Sequence, residues 1–342
     1  QGGLAPGDTG TTLASKLEGT LTRPLAEYVG EKFRVVTQFT DSSAINGYSV
    51  TVFEDRASEQ RYLSIRGSEL SNFFGDFASD ANILLFTGIA HGQMISMINW
   101  YLRANTAAGV PVVQLQRTIK NTPQGVRNDT YMGVGDGQLL GGGPLMLNGH
   151  SLGGHLSTVF ARLFPEAVAH TSTVNGLGVG RILPDGILRP IEDTLGLGRT
   201  SFPSNTSISN YYAENGINFA TNGLLVAQVG IRIPVFNEAG IGIPNHLIYK
   251  LTDSLALSDV IGTLDANISL ATISEILRAN SATPSESLER TLDALRKLFL
   301  GAVDNTLRGD AGGSTTSRVD YHQKLSELRL FLRTESGSSQ VI

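Results

Sequence analysis

Apolar and polar positions alternate along FRVVTQF (33–39), GYSVTVFED (47–55) and RYLSIRG (61–67), with turn residues between the runs, so three successive strands are expected. The period then changes. In GQMISMINWYLRA (92–104), Met94, Ile95, Ile98, Tyr101 and Leu102 recur at helical spacing, and VPVVQLQ after it reads as a buried strand. PLMLNG (144–149) is another short apolar run, and beyond it Leu156, Val159, Phe160 and Leu163 mark one face of a helix starting at Leu152. Strand, turn and helix therefore follow in order around Ser151.

Residues 180–209 mix prolines, glycines and apolar positions without a clean period, which predicts an irregular excursion over the core. ISNYYAENGINFAT (208–221) reads as a strand leaving into a loop. Past His246 the pattern turns helical, and TPSESLERTLDALRKLFLG carries the full punctuation of a helix: Thr283 as cap, Pro284 at the first position, Glu286 closing a capping box and Gly301 after the end.

Composition narrows the classes. Of 342 residues, 41% are hydrophobic and 17% charged, which fits a chain that buries a large core and excludes a disordered one. A net charge of -5 leaves no basic footprint, so nucleic acid is set aside as a partner. The absence of cysteine removes disulfides, thiolate metal sites and a cysteine nucleophile. No apolar run approaches the roughly 18 residues of a transmembrane segment. The opening QGGLAPGDTGTT has neither a basic nor an apolar leader region and no initiating Met, so the chain reads as a mature form or an excised segment.

The chemistry gathers at LNGHSLGGHL (147–156). A serine nucleophile must stand clear of the backbone on a tight, strained turn between strand and helix, and flanking glycines avoid the clashes that turn creates. Gly149, Ser151 and Gly153 have that spacing in that context. The helix start also aims backbone N–H groups and the positive end of its dipole at developing charge, which makes the Leu152 N–H an oxyanion donor. The alternative is a glycine-rich packing turn.

A serine hydroxyl needs a histidine base, itself oriented by a carboxylate, and in this kind of fold the chain order is Ser, acid, His. His155 lies one helical turn after Ser151, too constrained to serve as base, and is expected to pack behind the nucleophile; His170 follows too closely to leave room for the acid. His322 lies beyond the terminal helices. His246, in GIPNHLIYKLTD ahead of a helix, is the candidate base. Among the intervening carboxylates, Glu166 leaves the nucleophile helix, Glu238 sits in a glycine-rich loop, and Asp185, Glu192 and Asp193 fall in the excursion, where a charge is usually solvated. Glu214 follows the strand-like SISNYYAE and is the candidate acid, with Asp193 its main rival.

The ordered blocks YLSIRGSELSNFFGDFASD, AHGQ and NGHSLGGHL resemble the class 3 (fungal-type) lipase family over roughly residues 30–255. The longer wording is also similar to lipase domains that precede calcium-binding nonapeptide repeats in secreted bacterial proteins, although such repeats are absent here. The resemblance implies an α/β-hydrolase: an α/β fold with a mostly parallel central sheet, an irregular cap and a helical C-terminal extension, divided as a lipase-like domain over 1–260 and an extension over 261–342. It makes Ser151 the nucleophile, His246 the base and Ser68 the second oxyanion residue. ELSNFFGD becomes a lid with Leu70, Phe73 and Phe74 as its apolar face, the alternative for the two phenylalanines being ordinary core. Arg66 and Asp76 either stabilise that turn or act directly. The family's acid is usually Asp where Glu214 stands here, and no tryptophan lies in the lid segment.

The implied activity is hydrolysis of lipid esters, as a secreted triacylglycerol lipase working at a lipid–water interface, without a cofactor or metal. Phospholipase A1 activity and a lipase-like binding module without turnover are the alternatives.

Overall fold

The computed structural model describes residues 3–41, 47–67, 90–122, 125–180, 184–198, 201–203, 205–215, 226–238, 248–265, 267–279, 287–301, 307 and 318–336. The chain divides into two compact units, one made of residues 1–8, 32–211 and 219–232, the other of 9–31, 212–218 and 233–342.

The first unit is built on a twisted sheet. Strands β1 (Phe33–Thr40), β2 (Ser49–Asp55) and β3 (Arg61–Ile65) form where the alternation predicts them and pair antiparallel in sequence. β3 then runs parallel to β6 (Leu145–His150), β6 to β7 (Val168–Val174), and β7 to β9 (Ile208–Ala213). With β11 (Ile231–Val235) at the far edge, the order is β1-β2-β3-β6-β7-β9-β11, while β8 (Val179–Gly180) and β10 (Val226–Ala227) pair antiparallel apart from it. Parallel neighbours require crossovers, and helices supply them: α3 (His91–Ala104) lies between β3 and β6 in the chain, and α4 (Leu152–Leu163) between β6 and β7. This is an α/β architecture with a parallel centre.

The helical face read from the sequence is the buried one. Leu156, Val159, Phe160 and Leu163 of α4 are all within 1% of full burial, each contributing on the order of 1.5–3 kcal/mol of apolar transfer. They share a core with Leu147 of β6, Leu63 and Ile65 of β3, and Met94, Ile98 and Trp100 of α3. Tyr101, Phe160 and Phe164 pack in edge-to-face and tilted contacts with centroids 4.5 to 5.1 Å apart.

Two parts of this unit depart from expectation. VPVVQLQ does form a strand, β4 (Pro111–Thr122), but among the described residues it pairs only with β5 (Gly125–Val134) in a separate hairpin, with Val113 and Met132 facing solvent across from each other. Leu115 anchors β4 in the apolar core, and a polar pairing adds to it. The Asn99 amide donates to the Leu115 carbonyl and accepts from its N–H, both at 2.8 Å, as a neighbouring strand would.

The excursion over 180–209 contains a helix, labelled α5 (Pro184–Leu195), with Pro190 inside it. Pro184 suits a first turn, where its missing N–H is not needed, and Leu188 and Ile191 bury one face. Glu192 is fully buried rather than solvated, paired at 3.1 Å with the equally buried Arg162 of α4. Arg162 also reaches Asp185 at 2.7 Å and lies over the Phe202 ring at 4.8 Å.

The second unit is mainly helical: α1 (Gly10–Leu17), α2 (Arg23–Lys32), α6 (Ile248–Leu264), α7 (Leu270–Ala279), α8 (Ser287–Leu300) and α9 (Val319–Ser336). The expected cap residues Thr283, Pro284 and Glu286 lie outside the described residues, and Gly301, just past α8, takes a φ of 87° that suits its role as terminator. Phe236, Leu257, Leu277, Leu292, Tyr321 and Leu328 belong to its core. Beneath them runs a buried polar chain. Arg318 lies between Asp253 and Glu289 and stacks on Tyr321 at 4.1 Å, while His322 links Asp253 and Thr22, both at 2.7 Å. Among the described residues, no helix is long and apolar enough to cross a membrane.

Candidate active site

Ser151 stands at the carboxyl end of β6, in the step between that strand and α4. Its φ is 54° and its ψ −121°, a region non-glycine residues rarely enter and one that costs about 1–3 kcal/mol. Such a conformation persists only where the surroundings enforce it. The Ser151 N–H donates to the Val174 carbonyl of β7 at 3.1 Å, and its own carbonyl accepts from the N–H groups of Gly154 and Leu177, both at 3.0 Å.

The glycines explain the turn's shape. A side-chain carbon at position 149 would lie 2.6 Å from the Gly154 nitrogen, and one at 153 would overlap the Ile65 carbonyl at the end of β3. At 154 it would press on the Gly176 Cα at 2.8 Å. Gly149 and Gly153 therefore let the strand, the turn and the neighbouring β3 approach closely around Ser151, which is itself 3% exposed.

Leu152 contributes the first N–H of α4, one of the donors a helix cannot pair internally. From the other side comes Gly67, two residues past β3. A side-chain carbon there would sit 2.6 Å from the His150 carbonyl oxygen and 3.4 Å from the Ser151 Cβ. The segment that leads into Ser68 thus presses directly on the elbow. Ser68, Leu70, Phe73, Phe74, Asp76 and His246 themselves lie outside the described residues.

The remaining histidines have structural partners. His155 is fully buried, with Nδ1 2.9 Å from the Gly178 carbonyl and Nε2 accepting the Ala90 N–H at 3.2 Å. Burial holds its pKa down to about 4, so it is neutral at pH 7. His170 bonds Ser209 across β7 and β9 at 3.0 Å, and His322 is committed to Asp253 and Thr22. His91, at the start of α3, lies 3.4 Å from Asn128 and its pKa is lowered by burial.

Glu214 belongs to the second unit, just past β9, where both carboxylate oxygens accept from Arg278 at 2.7 Å and the backbone N–H donates to Val235. Asp193 is exposed on α5. Glu166 lines a cavity of about 310 Å³ with Tyr101, Asn105 and Pro144, at the amino end of β6 and so at the opposite end of that strand from Ser151. Glu238 is held largely protonated, its pKa raised to about 8 by burial and by the neighbouring Glu289. Among the described residues no cluster of His, Asp and Glu is placed to hold a metal.

Asn175 is the residue the motif reading passed over. It is 1% exposed, has a φ of 43°, and donates its N–H to the Tyr211 carbonyl at 2.8 Å, bending the chain after β7 back under the elbow. Its sequence signal is an asparagine before glycine at the end of a strand rich in β-branched residues, VAHTSTV, since Asn tolerates the left-handed region better than other side chains.

A mixed sheet with a parallel centre, whose middle strand ends in a strained serine and runs straight into a helix, is an α/β architecture. Among solved structures the chain is similar to the Lip2 lipase of Yarrowia lipolytica, at 15% identity and a TM-score of 0.35, over 61% of this chain and 69% of that one. It is also similar to a lipase from Rhizopus microsporus var. chinensis, at 12% identity and a TM-score of 0.30, over 65% and 68%. No protein-family model matches the chain, and comparison with curated protein sequences finds no match.

Proposed function

We propose that the chain is a serine carboxylic-ester hydrolase acting on lipid esters, a secreted triacylglycerol lipase working by an acyl-enzyme mechanism. The observation that carries this reading is Ser151 itself, a non-glycine residue kept at φ 54° by a cradle of close glycine contacts. Strain of that kind clusters at functional sites.

In this reading the Ser151 Oγ attacks the ester carbonyl while His246 takes its proton, and Glu214, its carboxylate fixed by Arg278, orients the imidazole. The N–H groups of Leu152 and Ser68 stabilise the oxyanion, and the close approach of Gly67 to the elbow is the described contact that supports this reading. Collapse of the tetrahedral intermediate expels the alcohol, protonated by His246. Water activated by the same imidazole then releases the acid and restores the serine. Leu70, Phe73 and Phe74 form the apolar face that meets lipid.

Side-by-side hydrolysis of a triglyceride emulsion and phosphatidylcholine vesicles tests the substrate class. Triglyceride turnover is expected to dominate; preferential release of the sn-1 acyl chain from phosphatidylcholine would make the enzyme a phospholipase A1, and turnover of neither would leave a binding module. Glu214→Gln compared with Asp193→Asn tests the acid. The first should cripple turnover, and loss confined to the second would move the role to Asp193.

A further inference from the structure

We propose that His155 is a positioning residue of the candidate active site, a bridge that ties the nucleophile's helix to the start of α3 on one side and to the 175–178 turn on the other. The inference rests on the reading of Ser151 as the nucleophile. Both imidazole nitrogens are committed: with Nδ1 protonated, the ring donates to the Gly178 carbonyl at 2.9 Å, and Nε2 accepts from the Ala90 N–H at 3.2 Å. Only the neutral Nδ1–H tautomer can make both bonds, since an imidazolium would turn a donor toward the Ala90 N–H. The ring is fully buried, so water replaces neither partner at little cost.

The two anchors are not incidental to Ser151. Ala90 is the cap position of α3, which has no side-chain cap of its own, so the imidazole of α4 supplies an acceptor to that helix start. Gly178 follows Leu177, whose N–H bonds the Ser151 carbonyl, and Val174 accepts the Ser151 N–H. The turn on one side of the elbow is thus fastened twice, by the serine backbone and by the side chain one helical turn later. Strain at Ser151 needs this over-determination, and releasing one fastening lets the backbone relax toward an ordinary dihedral region. A misplacement of about 1 Å is enough to cost on the order of a hundredfold in rate.

Three substitutions dissect the bridge. His155→Asn retains a donor near the Nδ1 position, His155→Gln retains an acceptor near Nε2, and His155→Phe fills the space with neither. Hydrolysis of a soluble p-nitrophenyl ester is measured for each, normalised to folded protein by circular dichroism, beside wild type and Ser151→Ala. His155→Phe should lose ~10–100-fold in kcat with KM changed less than about threefold, and the two polar variants should fall between it and wild type. A long-range proton–nitrogen NMR spectrum at pH 7 should show His155 as the neutral Nδ1–H tautomer.

Wild-type kcat in all three folded variants would overturn the proposal, as would an Nε2–H or charged imidazole. A loss of thermal stability with kcat intact would reduce His155 to a packing residue. If wild type and Ser151→Ala are equally active, or wild type is inactive, the nucleophile reading itself fails and the proposal falls with it.

Discussion

Acidification should weaken the first unit in a way that a single substitution removes. His155 has a folded pKa of about 4 against 6.5 for a free imidazole, with burial the main cause and the bond to Gly178 a smaller opposing one. Because the folded value is the depressed one, the neutral ring's contribution is complete above pH 6.5 and is lost as pH falls through about 4. At roughly 1.4 kcal/mol per pH unit, this amounts to ~3 kcal/mol. Urea unfolding at pH 7, 5.5 and 4 measures it, followed by fluorescence of Trp100, the chain's single tryptophan, which is buried in the same unit. His91 drifts in the same direction, and Asp55 and Asp185, whose pKa values are lowered, add to acid sensitivity at the bottom of the range. These groups are common to wild type and His155→Phe and cancel in the difference. Wild type should lose ~3 kcal/mol more than His155→Phe between pH 7 and 4; parallel curves would refute the buried, neutral bridge.

Arg162→Ala should destabilise the same unit by about 3–5 kcal/mol, because it strands the fully buried Glu192 without its cation. Arg162→Met combined with Glu192→Leu should recover most of that loss in the same tryptophan-monitored assay. In the second unit, Glu238 keeps its proton in the folded state between pH 4.5 and about 8 while the unfolded chain gives it up, so stability falls as pH rises through that window. Glu238→Gln should therefore slow hydrogen exchange in α6 and α9 relative to wild type at pH 8 and give no gain at pH 5.

The elbow was readable from residue types because its determinants are local: Gly149 and Gly153 are where a Cβ would collide within a few residues or with the adjacent strand, and only glycine removes that collision. β1 to β3 and the buried face of α4 were readable for the same reason, since a half-buried element writes its period into the chain. α5 was not. Its face of Leu188 and Ile191 is short, Pro190 breaks the pattern, and the burial of Glu192 depends on Arg162, thirty positions earlier. β5 is not legible because Tyr131, Met132 and Val134 are all exposed, so its C-terminal half carries no alternation of burial. The helices of residues 10–32 join the C-terminal ones in one unit through contacts such as Thr22 with His322, 300 residues apart, which no local pattern reports.

Reaction with a fluorophosphonate probe, followed by mass spectrometry of the labelled peptide, bears most directly on the role of Ser151. The account predicts one stoichiometric adduct on Ser151, abolished in Ser151→Ala together with ester turnover. An unlabelled wild type, a label on another serine, or undiminished turnover in Ser151→Ala would contradict it.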